Sequence, residues 1–463
     1  MSADNSAPTW RPLESFVTLG LATGDITPPV GIKAHNWGAA SRTDSTGVHS
    51  PLIAGAIAIE SSPGKWNYVL TADLGWWRSM ATFSQVFEPL VQALAVSRDS
   101  VLLHLVHTHA GPSLDGEQSL DAGSELVSAY RAQLVDRLRA IAQEARAGAR
   151  PVTITWAYGQ CELAVNRDLV VDGTNLVAFN PLQDADRTLL VGRIEDAGGV
   201  CGVIVNYACH PTTLGPENSL LSPDFVGATR LTVEAALGVP CFFFQGASGE
   251  LSPREQYSSD TSLADRHGQT LGYAALSVLN NMGTSGTQLT LDRVVESGAP
   301  LGLWSERPAS LPSTFETLRY TVDLECRPPL TAEEAHLRWP GIDPQAMQER
   351  IQRASSLADG YVSDGFARHP LWVWRLGDAV IVAHPGEAYS SLQVELRDRH
   401  PDLAIVVLNL TNGPGFVYLP DEAAFDRNGY QVWQSIVSRG SLARLIEHAD
   451  RAIAETSTPG ASS

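Results

Sequence analysis

The sequence predicts an α/β protein, with layered mixed β-sheets flanked by helices. Two observations carry this. Short apolar, strand-like runs alternate with helix-length amphipathic segments along the chain. No long linker or low-complexity block interrupts the alternation, so the layers belong to one body. In chain order, the strand Tyr68–Leu74 leads into a helix over Met80–Ala95, and the strand Val101–His107 into a helix over Glu125–Ala147. The apolar runs Val152–Tyr158, Leu189–Ile194 and Val200–Cys209 are strands, followed by a helix over Phe225–Ala236, the strand Pro240–Gln245 and a helix over Asp265–Leu279. Strands are expected at Leu289–Val295 and Leu318–Leu324, a helix over Thr331–Ala358, and strands at Trp372–Leu376 and Ala379–Ala383. A helix over Tyr389–His400, the strand Ala404–Leu410 and a helix over Gly440–Glu455 complete the series.

Charge narrows the function classes. Among 463 residues, 32 Lys and Arg face 51 Asp and Glu, a net charge of −19. That balance opposes approach to phosphate backbones and anionic lipid, so neither a nucleic-acid partner nor a stable membrane anchor is expected. The longest apolar stretch, Leu52–Ile59, is too short to span a bilayer. The five cysteines are odd in number, none lies within three residues of another, and most sit in apolar runs; reduced buried thiols in a cytoplasmic protein follow. The N-terminus has neither basic nor apolar signal regions. Residues 1–14 and 456–463 are expected to be disordered tails around a catalytic body over 15–455.

Unusual residues gather where apolar strands end. Val106-His107-Thr108-His109-Ala110-Gly111-Pro112 carries two imidazoles; if the strand reaches residue 109, both point to one side and suit zinc. His104 should face away and be packed. His210 ends a strand and precedes Pro211, and Glu387 follows Pro385-Gly386 near a helix start, where an acid also suits the helix dipole. Asp224 reads as the N-cap of the next helix. Ser248 lies in a Gly-rich turn that is not a nucleophile elbow. A strand, an acid, a helix, a strand and a Gly-Pro loop recur, once around Asp73 and Pro112 and once around Glu387 and Pro414. This is either the loose repetition of any α/β chain or two related halves that each bring ligands to one site.

The run of motifs resembles a known family. Gly20-Leu21-Ala22-Thr23-Gly24-Asp25-Ile26-Thr27-Pro28, Thr71-Ala72-Asp73-Leu74-Gly75, the His107–Pro112 segment, Cys209-His210-Pro211-Thr212-Thr213 and Ser222-Pro223-Asp224 come first. Gly249-Glu250-Leu251-Ser252-Pro253, Pro385-Gly386-Glu387 and Val417-Tyr418 follow in order. Together they are similar to the catalytic domain of the neutral, non-lysosomal ceramidases, zinc amidases that cleave the N-acyl bond of ceramide, over about residues 17–455. The resemblance implies zinc ligands at His107, His210, Glu387 and Tyr418. It implies catalytic or substrate-contacting roles for His109, Arg167 and Tyr430, and a nucleophilic or water-orienting role for Ser252. Three features depart from the family. The chain ends where an immunoglobulin-like domain usually follows, His384 stands where a small residue is usual, and the segment after Tyr418 is shifted.

The expected activity is zinc-dependent hydrolysis of an N-acyl amide, with a small-molecule substrate that is soluble or short-chained. The same zinc site acting on an ester, a lactone or a cyclisation is the alternative. A barrel amidohydrolase would also use His-x-His, but no eightfold βα pattern follows the pair. A metal-bearing scaffold is the non-enzymatic reading. Trp76 and Trp77 are candidates for pocket walls, although paired tryptophans after a strand commonly pack in a core.

Overall fold

The computed structural model describes residues 8–116, 120–328, 331–342, 344, 347–348, 351, 361–414 and 417–456. Eight strands form the first sheet: β1 (Leu13–Asp25), β2 (Ile53–Ser62), β3 (Lys65–Ala72), β4 (Val101–Leu105), β5 (Arg150–Gln160), β6 (Thr188–Asp196), β7 (Gly199–Tyr207) and β8 (Cys241–Gln245). Their spatial order is β8-β7-β6-β5-β1-β2-β3-β4. The interior pairs are antiparallel, and the two outermost pairs, β7–β8 and β3–β4, are parallel. A second sheet runs β9 (Phe315–Glu325), β10 (Phe366–Leu376), β11 (Ala379–Ala383) and β12 (Ala404–Leu408) in that order, its last pair parallel.

Strand alternation sorts the side chains into layers. Val69, Leu102, Ile204, Phe242 and Phe244 of the first sheet meet Trp374, Ile381, Val406 and Leu408 of the second in one buried cluster, so the sheets pack face to face. The opposite faces take helices. Tyr68, Leu70 and Ala72 pack on α1 (Met80–Leu94) and α2 (Val127–Ala147). Val203, Val205 and Phe243 pack on α3 (Phe225–Leu237) and α4 (Thr261–Asn281). Val380, Val382, Ile405 and Val407 pack on α5 (Ser391–Arg399) and α6 (Ser441–Glu455). The result is the layered mixed-sheet architecture expected from the alternation.

Several elements differ from expectation. β1 and β2 carry few β-branched residues, because α2 crosses them closely: a Cβ on Gly20 would lie 1.8 Å from the Ala145 carbonyl oxygen, and one on Gly24 would lie 2.8 Å from Ile141. Pro300–Pro308 is the hairpin partner of Thr287–Glu296, which in turn pairs with Thr9–Trp10. Part of the expected N-terminal tail is therefore strand, while 1–7 and 457–463 lie outside the described residues. The helix expected over Thr331–Ala358 is described as helix over Ala332–Arg338, and most of its remainder lies outside the described residues.

The first sheet curls until its edges converge. Thr71 Oγ1 donates to the Phe243 carbonyl (3.1 Å), and the Gln245 N–H donates to His104 Nε2 (2.9 Å). The segment after β12 fills the remaining gap. The Asn409 N–H donates to Gln245 O at 3.1 Å, Leu105 N–H to Leu410 O at 3.3 Å, and Asn412 N–H to Leu103 O at 3.1 Å. The Asn412 side chain mimics a strand, accepting from the Leu103 N–H (2.8 Å) and donating to Val101 O (2.6 Å). All three sheet edges thus meet at one seam. His104 faces away from the loop histidines as expected, with Nδ1 donating to Asn409 O (2.8 Å).

Burial pushes the His104 pKa down to about 3 from 6.5, so the ring stays neutral in the fold. The unfolded chain takes up this proton below about pH 6.5 and the fold does so only near about pH 3, so the stability tied to neutral His104 is lost as pH falls through that window. The stability advantage of wild type over His104→Gln should shrink by about 1.4 kcal/mol per pH unit below about 6.5. Urea unfolding of both proteins at about pH 7 and about pH 5 measures it; an unchanged difference would contradict a buried neutral ring.

Candidate functional site

Four loops leave the seam and converge. β4 stops at Leu105, so strand alternation does not place His107 and His109 as expected. His107 instead adopts a left-handed φ of 73°, a conformation costing a non-glycine residue about 1–2 kcal/mol. Its N–H donates to Leu74 O (2.9 Å), and its Nδ1 lies 3.2 Å from the Gly75 carbonyl oxygen. His210, just past β7, is pinned in the same manner. Its N–H donates to Leu251 O (3.0 Å), and Nδ1 donates to the Ser248 carbonyl (2.6 Å). Ser248 thus serves the turn, as expected, and also orients His210. Glu387 is not in the first turn of α5. It lies in a two-residue strand, Glu387–Ala388, whose parallel partner is Tyr418–Leu419, with Glu387 opposite Tyr418.

These placements create a tight triangle. His107 Nε2 and His210 Nε2 are 3.1 Å apart, and Glu387 Oε2 lies 3.1 Å from the first and 3.0 Å from the second. All three side chains are buried. A carbonyl oxygen can only accept, so each Nδ1 carries the ring proton and each Nε2 presents a lone pair. Three lone-pair atoms therefore face one another, an arrangement that calls for a cation. For Zn–N and Zn–O bonds of about 2.0–2.1 Å, tetrahedral ligands stand about 3.3 Å apart, close to the edges seen. The residues present fit zinc. His109 also offers a nitrogen within 4.8 Å of the ligand nitrogens of His107 and His210, but the triangle closed by Glu387 is tighter and contributes the negative charge.

Charge in the site follows from burial and neighbours. Burial and the Arg167 guanidinium push His210 down to about 3. Burial, with Glu387 alongside, pushes the Tyr418 phenol well above 10, so it enters the site protonated. Arg167 Nη2 donates to Gly249 O (2.7 Å) and to the Tyr418 hydroxyl (3.3 Å), and lies 3.1 Å from His210 Nε2. Gly249 must be glycine: a Cβ there would stand 2.7 Å from the Tyr389 ring and 2.9 Å from Glu387 O.

One cavity opens onto this centre, lined by His107, His109, Arg167, Glu387, Tyr418 and Tyr430 together with aromatic walls. Seven of the eight residues singled out from the sequence therefore meet here: these six and His210. Ser252 does not line the cavity. It is buried in the short strand Leu251–Pro253, opposite Val165, with its hydroxyl on the Pro253 carbonyl (3.3 Å). The tryptophan pair divides: Trp77 is core, while Trp76 is a cavity wall. His109 lies between Trp37 and Trp76, with ring centroids 4.6 and 4.9 Å away, and neither ring nitrogen has a hydrogen-bond partner. Burial, then His107 and His210, keep it neutral. Sequence reasoning missed Trp37, Tyr257 and Trp433, which complete the walls. Trp37 had a usable signal: a large aromatic in the loop Asn36-Trp37-Gly38, where core packing does not ask for one. Asp73, the acid of the first repeat, is absent from the cavity; it is buried and paired with Arg230 (2.7 Å), while Asp224 is a helix N-cap as expected.

No protein-family model and no curated protein matches the sequence. Solved structures do. The chain superposes on neutral ceramidase from Pseudomonas aeruginosa with a TM-score of 0.68 and 17% identity, covering 97% of this chain and 75% of that one. A ceramidase complexed with C2 matches with a TM-score of 0.65 and 17% identity, over 96% and 76% of the two chains. The layered mixed-sheet architecture is thus shared over nearly the whole chain, which has the neutral ceramidase fold.

Proposed function

We propose that this protein is a zinc-dependent hydrolase that cleaves an N-acyl amide bond. The observation carrying this reading is the triangle of three mutually facing lone-pair atoms, 3.0–3.1 Å apart, at the base of an aromatic cavity. The fold shared with proteins named ceramidases supports an amide as the scissile bond. His107, His210 and Glu387 hold the ion, with the Tyr418 phenol as the fourth group. Zinc bound there supplies a water of pKa about 7 and polarises the acyl carbonyl.

The chain's own residues do the rest. His109, neutral and unpartnered, offers an N–H to the carbonyl oxygen as negative charge develops on it, and Tyr430 faces the same space. Burial opposes the Arg167 charge, but Tyr418, Tyr257 and Glu387 around it raise its pKa, so it stays a cation suited to the carboxylate product. The aromatic walls exclude water from the reacting bond. The acyl C–N bond breaks, the water oxygen joins the acyl carbon to form a carboxylate, and both water protons pass to the leaving nitrogen, which departs as an ammonium. A cavity of about 280 Å³ lies at the small end for ligand sites, which supports a small or short-chain substrate. Five unpaired cysteines suit a reducing compartment, and we place the enzyme in the cytoplasm. Among the described residues no helix is long and apolar enough to cross a membrane.

Purified protein should carry about one zinc per chain and hydrolyse N-acyl amines until a chelator removes the metal. His210→Ala should lose the metal yet stay folded, because it deletes the side-chain bond to Ser248 O, worth about 1 kcal/mol, and keeps the backbone bond to Leu251 O in a large core. Metal analysis and circular dichroism read the two effects. Full metal occupancy in that variant would remove His210 from the site.

Ser252 supports the site from behind rather than attacking the substrate, since its hydroxyl bonds Pro253 O outside the cavity. Turnover by Ser252→Ala should stay within about tenfold of wild type, the range of an assisting group rather than an obligatory nucleophile. An acyl group trapped on Ser252 and found by mass spectrometry would overturn this.

A further inference from the structure

His384 has no role in the site as described, yet it is fully buried three residues before Glu387. Its bonds define its state. The Gly386 N–H can only donate, and it points at His384 Nδ1 (3.1 Å), so that nitrogen is an acceptor. The ring proton is therefore on Nε2, which donates to Asn409 Oδ1 (2.7 Å). His369 Nε2, 3.1 Å from His384 Nδ1, must then be the other donor, and the Tyr361 hydroxyl donates to His369 Nδ1. Four side chains form a relay with one consistent proton arrangement, and each of them is buried.

The relay ends on the frame of the metal triangle. Asn409 Nδ2 reaches Ala388 O (3.4 Å), the carbonyl next to Glu387, and that oxygen also accepts from the Gly249 N–H (2.9 Å). The Asn409 N–H donates to Gln245 O, and Gln245 Nε2 donates to Ser248 Oγ (2.6 Å) in the residue whose carbonyl holds His210. Gly386 itself lies flat against the relay: a Cβ there would meet Leu419 at 2.4 Å and His369 at 3.3 Å. Pro385 donates no N–H, so the Gly386 amide is the nearest backbone donor before Glu387 that can fix the loop.

We infer that His384 is a positioning residue, whose Nδ1 anchors the Gly386 amide and so delivers the Glu387 carboxylate to His107 and His210. This rests on the metal-site reading above. The lone-pair repulsion among the three ligands in the absence of metal must be resisted by something outside them, and this relay is the rigid, fully paired group behind Glu387.

Two substitutions separate the contacts. His384→Asn keeps an acceptor where Nδ1 stood, and His384→Gln keeps a donor where Nε2 stood. The zinc dissociation constant of metal-free wild type and both variants is measured by competition with a chromophoric chelator, with the urea midpoint as a control for folding. The Gln variant should bind zinc about 10–100-fold more weakly than wild type, and the Asn variant should recover most of that loss. A purely structural role would lower both urea midpoints without separating the two zinc constants. Equal zinc constants for the variants, or tighter binding by the Gln variant, would overturn the inference. Wild-type protein that binds no zinc would instead overturn the metal-site reading and this inference with it.

Discussion

Two imidazole nitrogens and a carboxylate oxygen held 3.0–3.1 Å apart in a buried pocket repel one another unless a cation lies between them. Holding that arrangement is the constraint on which the rest of the fold depends. Each of the three is fixed through its backbone or its far ring atom by a group outside the triangle: carbonyls of Gly75 and Ser248 for the histidines, and a strand bridge to Tyr418 for the glutamate. The left-handed φ of His107 is part of the same cost. Strain at such a position is kept only where surrounding bonds over-determine it.

Those bonds come from the seam. A sheet of eight strands twists enough for its first and last members to approach, but two strand edges would expose unpaired amides and carbonyls. The Asn409–Asn412 segment closes the gap with backbone and asparagine side-chain bonds to both edges. Loops leaving four different strand ends then share one small volume. The two βαβ units are central here. β3-α1-β4 and β11-α5-β12 are both parallel pairs, and they lie side by side across the seam, with His104 bridging Thr411 and Trp77 bridging Pro414. The first contributes His107, and the second contributes Glu387 and Tyr418. The acids at corresponding places differ in use: Glu387 faces the triangle, whereas Asp73 pairs with Arg230 of α3.

The cavity walls show how little of a site is chemistry. Of the walls Trp37, Trp76, Tyr257 and Trp433, Trp76 packs edge-on against His107 (ring centroids 5.5 Å apart), and all four set the shape and dryness in which His109 stays neutral. Burial lowers the His109 pKa, and with His107 and His210 it outweighs the opposing pull of Glu387. A neutral ring with both nitrogens unbonded can accept at one and donate at the other.

By itself the sequence determined the layered α/β class and most strands and helices, because periodic apolar runs report burial locally. It also pointed to His107, His210, Glu387, Tyr418, His109, Arg167 and Tyr430, which the fold gathers at one cavity, because polar residues at strand ends stand out against apolar neighbours and their order along the chain resembles one family. It could not reveal β1 and β2, where Gly20, Gly24 and alternate alanines answer to the close approach of α2 rather than to strand propensity. Nor could it place Ser252 behind the cavity, separate Trp76 from Trp77, or explain His384. Only the tertiary structure decided these. Each depends on which distant segment packs against the residue, and local pattern carries no record of contacts made across 100 or more positions, such as those joining Gln245 to His104 and Asn409.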